Sequence, residues 1–456
     1  MRFLLLPTFL LTGCAAWQMS RPVDDLSIRT PGSWAAVSGG AEARISAGWL
    51  DTFTDSGLKS SVNEALAYNR DLMAASARLR EAKQNSIIAQ ARSFPEINVS
   101  GGGSATDSNN APIRESYSLN LSAAWEPDLW GRLRDLNRAS SSDYRAALED
   151  YRGARLSLAA NTAKAWCNLI SAQQEVDLAG VTLSAYEKSL RIIERNYKST
   201  GEGALDLRFA RTNVSSAMRD VESRKLALNE AARSLELLLG RYPAGSTRAA
   251  KDLPRLTTDV PSGLPADLLE RRPDLAAGRA RLLASAQRAD ASRKVLLPSF
   301  SLTGSGGAPS DRLARLLDAQ ELFASISARV SQTLFDAGLE KAAAEAALAR
   351  NEAAVHDYAQ KSLVAFREVE AALAADRSLA TQERYLTAEL EQSTLAEKQA
   401  ERNYSQGVNP NILSVLEAQR RANGARASMI RLRNQRLQNR INLHLALGGD
   451  FSSRSQ

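Results

Sequence analysis

Along much of this chain the apolar positions recur every seven residues. From about residue 129 to residue 200, Tyr144, Tyr151, Leu158, Ala165, Ala172, Ala179, Tyr186 and Ile193 hold one register, and Leu169, Val176, Leu183, Leu190 and Tyr197 form a second stripe offset by three. The stretch contains no proline. Apolar residues repeating at 3.5 residues keep one helix face against a partner, so the pattern predicts a coiled-coil helix. Tyr358, Ala365, Ala372, Leu379, Leu386 and Ala400 repeat the register later in the chain. Shorter helices are expected at about 62–93 and 206–239, the latter carrying Leu207, Val214, Val221, Leu228 and Leu235; Val415, Ala422, Met429 and Leu443 mirror it. A helix of roughly 70 residues spans about 105 Å at 1.5 Å per residue. The two shorter helices, stacked end to end, match that length.

Between the helices the period changes to two. Tyr117, Leu119, Leu121, Ala123 and Trp125 alternate with Ser116, Ser118, Asn120, Ser122 and Ala124. Leu322, Ala324, Ile326, Ala328, Val330, Gln332 and Leu334 alternate with Phe323, Ser325, Ser327, Arg329, Ser331, Thr333 and Phe335. Strands are expected at about 94–104, 116–126, 297–307 and 322–335. The runs Gly101-Gly102-Gly103, Asp107-Ser108-Asn109-Asn110 and Gly304-Ser305-Gly306-Gly307 read as the far-side turns of two hairpins. One apolar and one polar face, with aromatics near the ends, is the pattern of a transmembrane β-strand; each strand alone would also suit a soluble sheet. Four strands cannot close a barrel, and lipid tolerates no open edge. Such a chain must combine with copies of itself: two give eight strands around a filled lumen, three give twelve around a pore.

Both patterns occur twice. Asn69-Arg70-Asp71-Leu72 returns as Arg272-Pro273-Asp274-Leu275, an offset of 203, and Leu237-Leu238-Leu239-Gly240 returns as Leu445-Ala446-Leu447-Gly448, an offset of 208. Arg195-Asn196-Tyr197 and Arg402-Asn403-Tyr404 fall between. A period this long marks a duplicated domain and no solenoid. The expected division is a signal segment 1–13, an N-terminal segment 14–60, a first unit 61–240, a linker 241–262, a second unit 263–448 and a tail 449–456. Each unit reads helix, strand, strand, long helix, helix.

Composition adds mostly exclusions. The formal charge of +7 over 456 residues is spread along helices with acids interleaved, which argues against a nucleic-acid partner. Two cysteines and two histidines leave no zinc-ligand spacing, and neither a phosphate loop nor a nucleophile elbow is present. No cofactor and no enzyme activity are expected. Cys167, inside a helical run, reads as a small core residue. The arginines Arg420, Arg421, Arg426, Arg431, Arg433, Arg436 and Arg440 read as a solvated or ion-paired helix face, with partner contact the lesser reading. At the N-terminus, Met1-Arg2 precedes an apolar run from Phe3 to Leu11, too short for a permanent span. Leu11-Thr12-Gly13-Cys14 then resembles the bacterial lipobox, which makes Cys14 the expected acylated residue, and Ala15 in the next position favours the outer membrane.

Taken in order, several motifs resemble the TolC-like outer-membrane efflux factors, in their NodT-type lipoprotein branch. They are Trp125-Glu126-Pro127-Asp128-Leu129-Trp130-Gly131-Arg132, Glu270-Arg271-Arg272-Pro273-Asp274-Leu275, Leu334-Phe335-Asp336-Ala337-Gly338, Arg402-Asn403-Tyr404-x-x-Gly407 with Leu416-x-Ala418-Gln419-Arg420, and Leu445-Ala446-Leu447-Gly448-Gly449. The resemblance implies a mainly α fold with a membrane β-barrel: a homotrimer with a twelve-stranded barrel continuous with a twelve-helix coiled-coil tunnel. It implies a passive exit duct for small molecules, working with a periplasmic adaptor and an inner-membrane pump. The gate is expected at the loops Lys198–Leu205 and Ser405–Ile412, with Tyr197, Asp206, Tyr404 and Asn409 as gate residues and Gly201, Gly203, Gly407 and Pro410 in the adaptor-contact loops. Asn409 stands where some relatives carry arginine, a departure that leaves a salt-bridged latch, a neutral hydrogen bond and a steric constriction all open. Asp206 also suits a cap of the return helix. Two other readings are the same duct serving peptide or protein secretion, and a periplasmic coiled-coil adaptor lipoprotein.

Overall fold

The computed structural model describes residues 34–36, 49–53, 55–108, 111–256, 268–269, 271–316, 318, 322–406, 408 and 412–449. The signal segment 1–13, Cys14, Gly407, Asn409 and Pro410 lie outside the described residues.

The first unit runs α1 (Ser56–Tyr68), α2 (Arg70–Ala91), β1 (Glu96–Ser108), β2 (Ala111–Trp125), α3 (Arg132–Thr200) and α4 (Ala204–Leu238). The second runs α5 (Pro273–Lys294), β3 (Ser299–Ser310), β4 (Phe323–Ser331), α6 (Leu339–Ser405) and α7 (Ile412–Ala446). The long helices have 69 and 67 residues, about 100 Å each. Their heptad positions face inward: Leu158, Ala179 and Ile193 on α3 and Tyr358, Ala365, Ala372 and Leu379 on α6 are buried. No described helix is long and apolar enough to cross a membrane.

The expected single helix at 62–93 is two helices. Asn69 takes an extended backbone (φ −64°, ψ 129°), which ends α1 and starts α2. Its Oδ1 accepts from Leu72 N at 3.0 Å, an N-cap bond, and its Nδ2 donates to Leu238 O at 3.0 Å. The twin position is Arg272, ahead of Pro273 at the first helical position. Arg272 Nη1 donates to Ala446 O at 3.4 Å and to Glu368 at 2.7 Å. Leu238 and Ala446 are themselves twins, so unlike side chains tie the same helix end in both units.

The four strands form one antiparallel sheet in the order β1-β2-β3-β4. The units join at β2–β3, from Tyr117 opposite Ser310 to Trp125 opposite Leu302. Among the described residues the outer edges of β1 and β4 have no partner strand. Two of the expected turns are strand interior. Gly101, Gly102 and Gly103 pair with Leu119, Ser118 and Tyr117, and Gly304, Gly306 and Gly307 of β3 pair with Ile326, Ala324 and Phe323. A β-carbon at Gly103 would stand 3.1 Å from the Tyr117 ring, and one at Gly307 would stand 2.5 Å from Leu119 O. Neighbouring atoms occupy that space, so the glycines admit close packing and do not reverse the chain. The first hairpin turns where Ser108 meets Ala111.

The largest core lies midway along the rods, where α1, α3, α4 and α7 meet. Trp49, Phe53, Leu58, Val62, Leu169, Ile170, Leu235 and Ile441 fill it. Trp166 Nε1 donates to Asp55 Oδ2 at 2.8 Å, and the same carboxylate caps α1 through Gly57 N and Leu58 N. Cys167 is fully buried there, and burial, reinforced by the charge of Asp55, pushes its thiol up to about 12. A small-core role accounts for it. Past α4 the chain wraps the rod: the buried Glu236 carboxylate accepts from Gly245 N at 2.7 Å, Ser246 N at 2.8 Å and Thr247 N at 2.8 Å.

Candidate functional site

Sheet and rods meet at two short turns. Asp128 accepts from Leu133 N at 3.1 Å and Arg134 N at 2.8 Å, and Gly131 (φ 78°) starts α3. Asp336 accepts from Gly338 N at 2.9 Å and Glu340 N at 2.7 Å, and Gly338 (φ 86°) starts α6. Trp130 Nε1 donates to Pro298 O at 2.6 Å, and Arg132 grips both carboxylate oxygens of Glu126. The aspartate and glycine of each motif thus fix the angle at which a strand becomes a rod.

At the opposite end the rods turn back. Gly201 (φ 74°) closes α3, its N–H donating to Tyr197 O at 2.9 Å, and Gly203 (φ 86°) opens α4. Both glycines hold a left-handed backbone that a side chain would strain. Ile193, Leu207, Ala210, Ile412 and Val415 form a small core just behind the loop, and Tyr197 and Tyr404 pack against it. This cluster draws residues from both units. Tyr404 is hydrogen-bonded to Asn196, and its hydroxyl is pushed up by burial and by the charge of Asp206, against the lowering effect of that bond. Tyr197, Tyr404 and Asp206 therefore gather at one tip. Asp206 sits in the first turn of α4 but is not its N-cap, which is Gly203; its charge suits the helix dipole there.

The tip also holds twinned polar pairs absent from the expected site. Arg211 meets Glu194 at 3.0 Å in the first unit. In the second, buried Gln419 Nε2 donates to Glu401 Oε1 at 2.9 Å. Glu194 and Glu401 are 207 apart, Arg211 and Gln419 208 apart, so the offset between the units is the signal that marks them. Asn196 belongs to the repeated Arg-Asn-Tyr motif, and the same offset marks it.

The arginine face of α7 is ion-paired. Arg420 and Arg421 hold Glu417, Arg426 meets Glu397 at 2.5 Å, Arg433 and Arg436 share Glu383, and Arg440 reaches Asp376 at 3.3 Å. Arg431 donates to Ser428 Oγ. Among the described residues no group of three acidic, histidine or cysteine side chains could hold a metal ion.

Residues 61–241 and 264–449 match the family described as outer membrane efflux protein. The chain belongs to that family. The first matched stretch runs from within α1 through α4 and the second takes in α5 through α7, and the fold is that of the family's channels. The cation efflux system protein CusC of Escherichia coli is 31% identical over 450 residues, 96% of this chain and 97% of that protein. The toluene efflux pump outer membrane protein TtgF of Pseudomonas putida is 30% identical over 414 residues, 89% of this chain and 86% of that protein. The open state of the Neisseria gonorrhoeae MtrE outer membrane channel superposes with a TM-score of 0.83 at 25% identity, over 92% of this chain and 96% of that one. This outer membrane efflux protein is accordingly an exit channel in the outer membrane. The secretion and adaptor readings are not favoured, since both matched units and the whole fold are those of efflux channels.

Proposed function

We propose that three copies of this chain form the duct, with a twelve-stranded barrel above a twelve-helix tunnel, and that a periplasmic adaptor and an inner-membrane pump complete the export system. The observation that carries this is the four-stranded sheet with two open edges, continuous with rods of about 100 Å. Open edges are excluded from lipid, so copies must close them. Acylated Cys14 would add a lipid anchor to the barrel. Cargo is of the small-molecule class. CusC is named for cations and TtgF for toluene, yet both match this chain at nearly equal identity, so the cargo is chosen by the pump.

The gate in this reading is the tip cluster. Tyr197 and Tyr404 narrow the lumen, the Tyr404–Asn196 bond ties one unit to the other, and Asp206 adds a negative charge that favours cations. Asn409 is the remaining gate residue, and the loops carrying Gly201, Gly203, Gly407 and Pro410 receive the adaptor. Opening moves the helix pairs apart, and an adaptor that prefers the open state drives it.

Replacing Tyr404 and Asp206 together by alanine tests the gate. Single-channel conductance in planar bilayers should rise, and cells should leak antibiotic. Unchanged conductance in a correctly assembled trimer would move the constriction elsewhere, and a stable water-soluble monomer would overturn the duct assembly.

A further inference from the structure

Within one chain, α5 lies in a seam between α3 and α6. Its α3 side carries a ladder of ion pairs: Arg281 with Asp150, Arg288 with Asp143 and Lys294 with Asp135. Between the rungs the contacts are small, with Ala139 and Ala146 on α3 and Ala277, Ala284 and Ala291 on α5 all buried. Its α6 side packs Gly278 and Leu282 against Tyr358 and Val355.

The duplication makes α2 the twin of α5, at an offset of 203, and α6 the twin of α3, at an offset of 207. α2 packs on α3 as α5 packs on α6, and on one of its sides Leu72 is buried and Ala75, Leu79 and Ala82 are half-buried. Among the described residues the other side lacks its twin's partner. Ala74, Ala77, Arg78, Glu81 and Ile88 are exposed, although the α5 residues Ala277, Ala280, Ala284 and Ala291 at four of those positions are buried. On α6 the residues matching the α3 ladder face, Ala346, Ala353 and Asp357 among them, are exposed too.

We infer that Arg78 of one copy pairs with Asp357 of the next where α2 meets the neighbouring α6, as the one charged rung kept from the internal α3–α5 seam. This rests on the multi-chain duct proposed above. The pairing follows from arithmetic on the ladder: Arg281 minus 203 is Arg78, and Asp150 plus 207 is Asp357, so charge and sign survive. The other rungs do not. Asp143 and Arg288 become Arg350 and Asn85, with Glu81 one turn from Asn85 on the same face, and Asp135 and Lys294 become Ala342 and Ala91. The seam between copies thus keeps one direct rung where the seam inside a copy has three.

The sheet obeys the same operation. Internally Ala123 faces Gly304 and Leu119 faces Ala308. The shifted register sets Val330 of β4 opposite Gly101 of the next copy's β1, and Ile326 opposite Ala105. Glycine again falls across from the apolar residue. The helix seam and the strand edge therefore call for the same neighbour, a second copy of this chain.

Cysteines at Arg78→Cys and Asp357→Cys, in a Cys167→Ala background, test the seam with a short bis-maleimide on the protein in its membrane. The expected result is covalent dimer and trimer on denaturing gels, with at least tenfold less from Arg80→Cys with Asp357→Cys, since Arg80 lies off this face. An intrachain product, or no product while native mass spectrometry still finds the oligomer, overturns the seam and leaves the duct standing. A monomer in native mass spectrometry overturns both. As a second measurement, Arg78→Asp should lower the temperature at which the oligomer dissociates, and adding Asp357→Arg should restore it; no restoration overturns the pairing.

Discussion

The carbonyl oxygen of Tyr68 stands 2.4 Å from the point that a β-carbon on Gly240 would occupy. Gly240 follows the last turn of α4 with φ 73°, and Tyr68 ends α1, so two helix ends meet with no room for a methyl group. The twin contact is looser: a β-carbon on Gly448 (φ 73°) would sit 3.0 Å from Arg271 O. Gly240→Ala should therefore cost more than Gly448→Ala. Each carries the left-handed backbone strain of about 1–3 kcal/mol, and only the first adds a severe overlap with backbone. Thermal denaturation of the two variants measures the order, and equal losses would show that the α1–α2 junction yields.

Tyr404→Phe removes the hydroxyl bonded to Asn196 and keeps the ring on the tip core. A hydrogen bond worth about 1 kcal/mol shifts a closed–open equilibrium roughly fivefold. The ratio of open to closed time in bilayer recordings should rise by at least that factor, and Asn196→Ala should match it. If the two variants disagree in direction, the bond is not the latch.

Glu236 governs the linker. Burial alone would raise its carboxyl, but hydrogen bonds from Gly245, Thr247 and Ser246 outweigh that and hold it at about 2. A carboxyl lowered in the fold stabilises it fully above the ordinary value of 4.5, and the contribution is lost as pH falls from there towards 2. Glu236→Gln should speed trypsin cleavage after Arg248 roughly tenfold at neutral pH. The same comparison with an acid protease near pH 2 should show little difference; a gap that persists there would point to packing instead of charge.

His444, the twin of Glu236, stacks on Trp49 at 5.6 Å between ring centroids. Burial first, and the charge of Arg440 second, push its imidazole down to about 4. The unfolded chain takes a proton below 6.5 that the folded one refuses, so this group costs stability as pH falls from 6.5 to about 4. His444→Leu should flatten the decline of melting temperature across that window. Parallel curves for the two proteins would refute it.

Much of this architecture is legible in the chain because periodicity survives duplication. The heptads locate both rods, and the motif offsets align the units. The glycine runs mislead, since glycine marks turns by its backbone freedom, whereas Gly103 and Gly307 serve by lacking a β-carbon beneath Tyr117 and beside Leu119. The break at Asn69 is written as a cap residue within a repeated motif, but no proline or glycine interrupts residues 62–93 to mark it. At the tip the two tyrosines and Asp206 can be read from sequence; the bond from Tyr404 to Asn196 cannot, because it joins helices of different units.

The paired contacts behind the tip loops differ in kind. Arg211 and Glu194 are a charged pair with the arginine side chain 54% exposed, whereas Gln419 is buried where it donates to Glu401. Mobile ions weaken exposed pairs and barely reach a buried neutral donor. A rise in the surrounding ionic strength thus loosens the contact behind the α3–α4 loop and spares the one behind the α6–α7 loop, so salinity biases which tip loop of each chain yields first.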